Sequence, residues 1–143
     1  MAGKTNAWAA DLLGLFFQAA AVANIASNAT SGPQTNLYIS LHTADPGVTG
    51  SQTTNEAAYP SYARVAVART SGGWVLTGTS ISPASPIVFP GATGGSEIET
   101  FFGIGSASAG AGTLYYSGAM IPALAVSDGV VPELTSATMV VES

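Results

Sequence analysis

The sequence predicts a mainly β protein, an antiparallel β-sandwich or jelly-roll-like domain carrying one N-terminal α-helix. Three observations lead there. From residue 36 onward, apolar and polar side chains alternate in short runs, the period of a half-buried strand. Clusters of Gly, Pro, Asn, Asp and Ser separate those runs, which is the turn punctuation of sandwiches rather than of βαβ units. The one long stretch of helix formers lies at the start, where Ala and Leu dominate. The 143 residues suffice for a single domain with its own core, divided into a helix over 5–26, a linker over 27–35 and a sandwich over 36–143.

In the predicted helix, Thr5 or Asn6 caps the N-terminus and Asp11 lies early, on the favourable side of the helix dipole. Trp8, Leu12, Leu15, Phe16, Ala19 and Val22 follow helical spacing, and Leu13 and Phe17 carry the stripe onto a second face. A helix packed on the domain's own sheet accounts for one face. Apolarity on both faces points to burial on more than one side, so Trp8, Leu12, Phe16 and Phe17 are candidates for contact with a neighbouring subunit. Asp11 interrupts the apolar run, and Gln18 and Asn24 follow; this argues against a signal peptide and against a membrane span.

The linker SNATSGPQT is dense in turn residues. In the next segment Leu37, Ile39 and Leu41 alternate with Tyr38, Ser40 and His42, as in a strand with one buried face. A polar loop over 43–61 then opens with Asp45-Pro46-Gly47, and loops of this length are usually functional. Further strands are predicted over 62–69, 74–77, 80–82, 86–89, 97–106, 113–120, 130–131 and 137–142. Pro83, Pro86 and Pro90 confine theirs to strand ends or sheet edges. No repeat of fixed period emerges, so propellers and solenoids are unsupported.

Charge is scarce. Lys4, Arg64 and Arg69 stand against eight acids, and charged residues make 8% of the chain where about 25% is usual. Disordered chains are charge-rich and apolar-poor, so this one folds. Three cations give no footprint for a phosphate backbone, which excludes nucleic acid as a partner. Ala, Gly, Ser and Thr make up about half the chain, a composition suited to close packing and poorly suited to acid–base chemistry. So little charge leaves an isolated molecule little repulsion, and we expect neighbours to cover much of its surface. The chain has no cysteine, hence no disulfide or thiolate metal site.

The inventory for catalysis is thin, and neither an enzyme nor a cofactor is expected. His42 is the only histidine. Ser40, His42 and Asp45 could be written as a triad, but residues so close along one strand are not expected to converge; a strand-end histidine bonded to the next turn is the simpler reading. Glu97 and Glu99 share a strand face and could bind a divalent cation or cleave glycosides. With no third ligand, a solvated strand end accounts for them better, and no metal is expected. Gly72-Gly73 and Gly94-Gly95 lack the Lys and helix start of a phosphate loop. Arg64 lies in an otherwise apolar strand, where an unpaired guanidinium is costly. Glu56 or Asp45 is expected to pair with it and clip the loop to the sheet; the alternative is an Arg64 exposed on the solvent face.

Several segments together carry a resemblance: NLYISLHTADPG over 36–47, TNE over 54–56, YARVAV over 62–67, Gly73-Trp74, FGIG over 102–105, GAGTLYYSG over 110–118 and LAVSDG over 124–129. The string resembles a family of small structural proteins of tailed bacteriophages and prophages, often labelled tail-fibre-like. The resemblance covers most of the chain and includes the Glu56 and Arg64 positions. It implies a virion component made in the cytoplasm of the bacterial host, with no catalytic residues to carry over. The small β-rich size suits a capsid decoration (cement) protein that bridges capsomers, with the major capsid protein as partner. A small tail-fibre or tail-tip protein is the alternative. A third reading is a carbohydrate-binding host-recognition module stacking sugars on Tyr59, Tyr62 and Trp74, although such aromatics are more often core. Dimers or trimers are expected, with the N-terminal segment and the 43–61 loop, including Asp45 and Tyr59, as contact elements.

Overall fold

The structure, a computed structural model, describes residues 3–8, 11, 21–23, 25, 34–77, 80–138 and 140–141. Among them run β1 (Gly3–Lys4), β2 (Asn36–His42), β3 (Val65–Ala68), β4 (Trp74–Thr77), β5 (Ser80–Pro83), β6 (Ile87–Val88), β7 (Ser96–Gly105), β8 (Leu114–Ser127), β9 (Glu133–Leu134) and β10 (Val140–Val141). The protein is mainly β and antiparallel throughout. A five-stranded sheet has the order β1-β8-β7-β2-β3, a three-stranded sheet the order β10-β5-β4, and β6 pairs with β9.

The small sheets pack on one face of the large one. Ile39 and Leu41 of β2 and Phe102 and Ile104 of β7 form a single buried cluster with Trp74, Ile87, Leu134 and Val140 from the other sheets. The alternation of β2 is the cause: Leu37, Ile39 and Leu41 point into this cluster, and Ser40 and His42 point the other way. Leu41 has no exposed surface, and burying it contributes about 2 kcal/mol relative to leaving it in water.

Four departures from expectation have local causes. The strand expected over 62–69 begins only at Val65, because Tyr62 donates its N–H to the Tyr59 carbonyl in a turn (2.9 Å). The strand expected to stop at 120 runs on to Ser127. Between the pairs Phe101–Ala119 and Glu99–Leu124, β7 advances two residues and β8 five. Residues 120–123 bulge out, which accommodates Pro122 without demanding its missing N–H. Val130 and Val131 form no strand; the Val130 and Pro132 carbonyls accept from Ala92 and Phe89 (2.8 and 2.9 Å), and the regular pairing shifts to Glu133 and Leu134. Finally, Gly3–Lys4 adds a short strand beside Tyr116 and Ser117 of β8 that nothing in its composition announced.

Of the N-terminal segment the structure describes residues 3–8, 11, 21–23 and 25. Asn6–Trp8 and Asp11 are helical, and Thr5 caps them, its Oγ1 accepting from the Trp8 N–H at 3.2 Å. Residues 21–23 and 25 are not helical. Trp8 and Val22 pack in one buried cluster with Tyr115, whereas a straight helix would set them about 21 Å apart. The helix expected over 5–26 therefore does not hold at 21–23 and 25, and residues 12–20 of it lie outside the described residues. Leu12, Phe16 and Phe17 lie outside the described residues, as do residues 26–33 of the expected helix end and linker.

Candidate functional site

At Ser40 and His42 of β2, the face turned away from the apolar cluster is polar and just as closed. Ser40 and His42 have no exposed surface, and neither does Gln52, which the 43–61 loop brings over them. The His42 Nδ1 lies 2.8 Å from the Thr54 carbonyl, which can only accept, so Nδ1 carries the proton. Nε2 then accepts from the Ser40 hydroxyl at 2.8 Å. Burial lowers the His42 pKa; the Thr54 carbonyl and the Glu56 carboxylate oppose this, and Arg64 adds to it. Gln52 accepts from the Ala107 N–H through Oε1 (2.8 Å), and its own N–H donates to the Gly112 carbonyl (3.1 Å).

Glycines make room for this layer. A Cβ on Gly103 would stand 2.6 Å from both Ser40 Oγ and His42 Nε2, and one on Gly105 or Gly112 would collide with the Gln52 side chain. Gln52 and these glycines escaped the sequence reading. The available signal was Gly103 and Gly105 alternating within a strand, a mark of close approach from another segment.

Glu56 and Arg64 come together at the edge of the layer. Arg64 Nε donates to Glu56 Oε1 at 2.6 Å and Nη2 to Oε2 at 2.8 Å. The guanidinium also donates to the carbonyls of Ala107 (2.9 Å) and Gly110 (2.8 Å). Its side chain is 2% exposed, so the guanidinium is buried with its donors matched to acceptors. The Tyr62 hydroxyl donates to Glu56 Oε1 (3.0 Å) and accepts from the Leu41 N–H (3.1 Å); burial raises its pKa. Three segments are thus fastened together: the 43–61 loop, the approach to β3 and the β7–β8 turn. Backbone bonds from Thr43 to Asn55 (2.8 Å) and from Ala57 to Leu41 (2.9 Å) pin the loop further.

Asp45 takes no part in the clip. It is exposed, and its Oδ1 accepts from the Gly47 N–H at 2.8 Å, closing the turn that opens the loop. It does not reach His42, whose Nδ1 the Thr54 carbonyl occupies. Ser40 and His42 do meet, a contact the sequence reading did not expect, but neither is exposed to a substrate.

The two glutamates are not a solvated strand end. Glu97 Oε1 accepts from the N–H groups of Ala58 (2.9 Å) and Tyr59 (2.7 Å), holding the far end of the loop. Glu99 is fully buried, no donor among the described residues reaches its carboxyl oxygens, and the Glu97 carboxylate is the group to which its protonated form can donate. Burial, reinforced by the neighbouring Glu97, pushes its pKa up to about 8. Burial and both glutamates push Tyr59 up to about 12. No group of three His, Cys, Asp or Glu among the described residues is placed to hold a metal.

Of the aromatic candidates, Trp8 packs against Tyr115 with ring centroids 5.0 Å apart. Tyr59 is 3% exposed, stands edge-on to Tyr62 at 5.3 Å and donates to the Pro90 carbonyl. Tyr62 stacks on Phe89, and Trp74 lies in the main cluster. Tyr59, Tyr62 and Trp74 are therefore built into the core and form no exposed row for sugars. The two segments named for contact also touch each other, through the Asn6 N–H and the Val48 carbonyl (3.0 Å). No described helix is long and apolar enough to cross a membrane.

These features define a small β-sandwich protein whose buried polar side chains fasten loops to a sheet. Residues 5–142 match the family of podophage GP4 fiber I protein gp80. The chain belongs to that family, and so to the tail-fibre-like structural proteins of phage virions. A search of curated proteins gives no match.

Proposed function

We propose that this chain is a structural component of a bacteriophage fibre that acts by contact with other virion proteins and not by catalysis. The family match over residues 5–142 carries the reading, because that family is described by a fibre protein. The site supports it. The polar groups a catalyst would present to solvent are here spent inside the fold, with Ser40, His42 and Gln52 all fully buried. The fastened 43–61 loop offers a surface of fixed shape, which lowers the ordering cost of assembly. The protein is made in the host cytoplasm and carried into the particle.

Capsid decoration makes a different prediction about place and number. Gold-labelled antibody against the chain, with densitometry of purified particles, separates the two. The fibre reading expects label on fibres and a copy number far below that of the major capsid protein. Label over the head at a comparable copy number overturns it in favour of decoration.

A further inference from the structure

Glu97 and Glu99 lie two residues apart on β7 and turn the same way, which brings two carboxyl groups under the far end of the 43–61 loop. They are held unequally. Glu97 is half-buried, and its Oε1 accepts from the N–H groups of both Ala58 and Tyr59, bonds that favour its ionised form. Glu99 has no exposed surface, and no described donor reaches either of its oxygens. An ionised carboxyl so placed would carry the full cost of an unpaired buried charge. The missing partner of Glu99 is therefore a proton, which it donates toward Glu97, as when two close carboxyl groups share one. The Tyr59 phenol is the other titratable group beside the pair. The rest of the loop end over 57–61, the 89–92 segment that Tyr59 bonds, and Leu124–Val126 opposite on β8 bring no ionisable side chain.

We infer that Glu99 and Glu97 form a proton-held latch: with Glu99 protonated, Glu97 keeps the Ala58 and Tyr59 amides, and loss of that proton turns Glu97 outward and frees them. Unequal burial decides which carboxyl moves. Two adjacent charges cannot both stay in a site shielded from water; Glu99 is enclosed and Glu97 already borders solvent, so Glu97 leaves. The Glu99 pKa stands at about 8, so the latch is shut below pH 8 and opens above it. The Tyr59 phenol, pushed up to about 12, stays neutral over that span. The clip between Glu56 and Arg64 fastens the loop through other groups, so opening is confined to the residues around Ala58 and Tyr59. The latch does not depend on where in the particle the protein sits.

Amide hydrogen exchange of the full chain at pH 6 and pH 9, wild type beside Glu99→Gln, tests this; comparison at one pH cancels the chemical exchange rate. At pH 6 the two should protect Ala58 and Tyr59 alike. At pH 9, one unit above the midpoint, the wild type should exchange these two amides about tenfold faster than the variant. The amides that pair β7 with β8 should match in both. Glu97→Gln keeps an oxygen for the two amides and removes the opposing charge, so it should show no more acceleration at pH 9 than Glu99→Gln. A carbon-13 titration of the wild type needs no variant: the Glu99 carboxyl and the protection of Ala58 and Tyr59 should share one midpoint. Equal exchange in wild type and Glu99→Gln at pH 9, acceleration spread over the whole sheet, or separate midpoints overturns the latch.

Discussion

The two faces of β2 at Ser40–His42 are closed to the same degree by different means. On one, Leu41 packs among apolar side chains from all three sheets; on the other, its neighbours Ser40 and His42 are equally buried but held by hydrogen bonds to one another and to the loop. The apolar face tolerates rearrangement because dispersion and the hydrophobic effect have no direction. The polar face does not. Each buried donor or acceptor there costs roughly 1–3 kcal/mol if its partner leaves, so the loop over it has one arrangement to adopt.

Substitutions can break each face in its own manner. The largest loss is expected from Leu41→Ala, about 4 kcal/mol by denaturant unfolding, since it removes a fully buried side chain and leaves a cavity. Arg64→Met should cost about 3 kcal/mol by leaving Glu56 unpaired, and adding Glu56→Met should recover part of that loss, because removing both charges is cheaper than stranding one. A double variant less stable than either single variant would contradict the clip. Gly103→Ala should cost about 1–3 kcal/mol through overpacking against Ser40 and His42, an effect with no counterpart at the exposed Gly72, where an added Cβ would meet only Thr70 Oγ1 at 3.6 Å.

Smaller shifts come from pH. The folded His42 pKa lies below the ordinary 6.5, so the unfolded chain binds the extra proton, and stability falls as pH drops from 6.5 toward the folded value. Glu99 acts in the opposite sense. Its pKa rises from 4.5 to about 8 in the fold, so its contribution is complete below 4.5 and is lost as pH climbs through 8. Thermal unfolding of Glu99→Gln should therefore show a weaker decline from pH 5 to pH 8 than the wild type. An unchanged decline would place the alkaline loss elsewhere.

The apolar face was legible in the sequence because its signal is local: Leu37, Ile39 and Leu41 alternate, and Trp74–Thr77 forms the strand that its composition and the preceding glycines indicate. Glu56 and Arg64 were legible for a related reason, since a cation in an apolar strand demands an acid nearby. The rest of the polar face was not. Gln52 meets Ala107 and Gly112 across more than fifty residues, and the need for glycine at 103 arises only once Ser40, His42 and Leu114 surround it. The burial of Glu99 was hidden too, because strand alternation assigns it a face but not what covers that face. In β8, Pro122 signalled a strand end, and only the bulge lets the strand continue past it.

That the polar layer fixes the 43–61 loop in the free protein is tested most directly by amide hydrogen exchange on the isolated chain. The account predicts slow exchange at Thr43, Gln52 and Ala57 in the wild type, approaching the rate of the sheet core, and marked acceleration at all three in Arg64→Met with the amides that pair β7 with β8 less affected. Rapid exchange at these positions in the wild type, or protection that survives loss of Arg64, would contradict it.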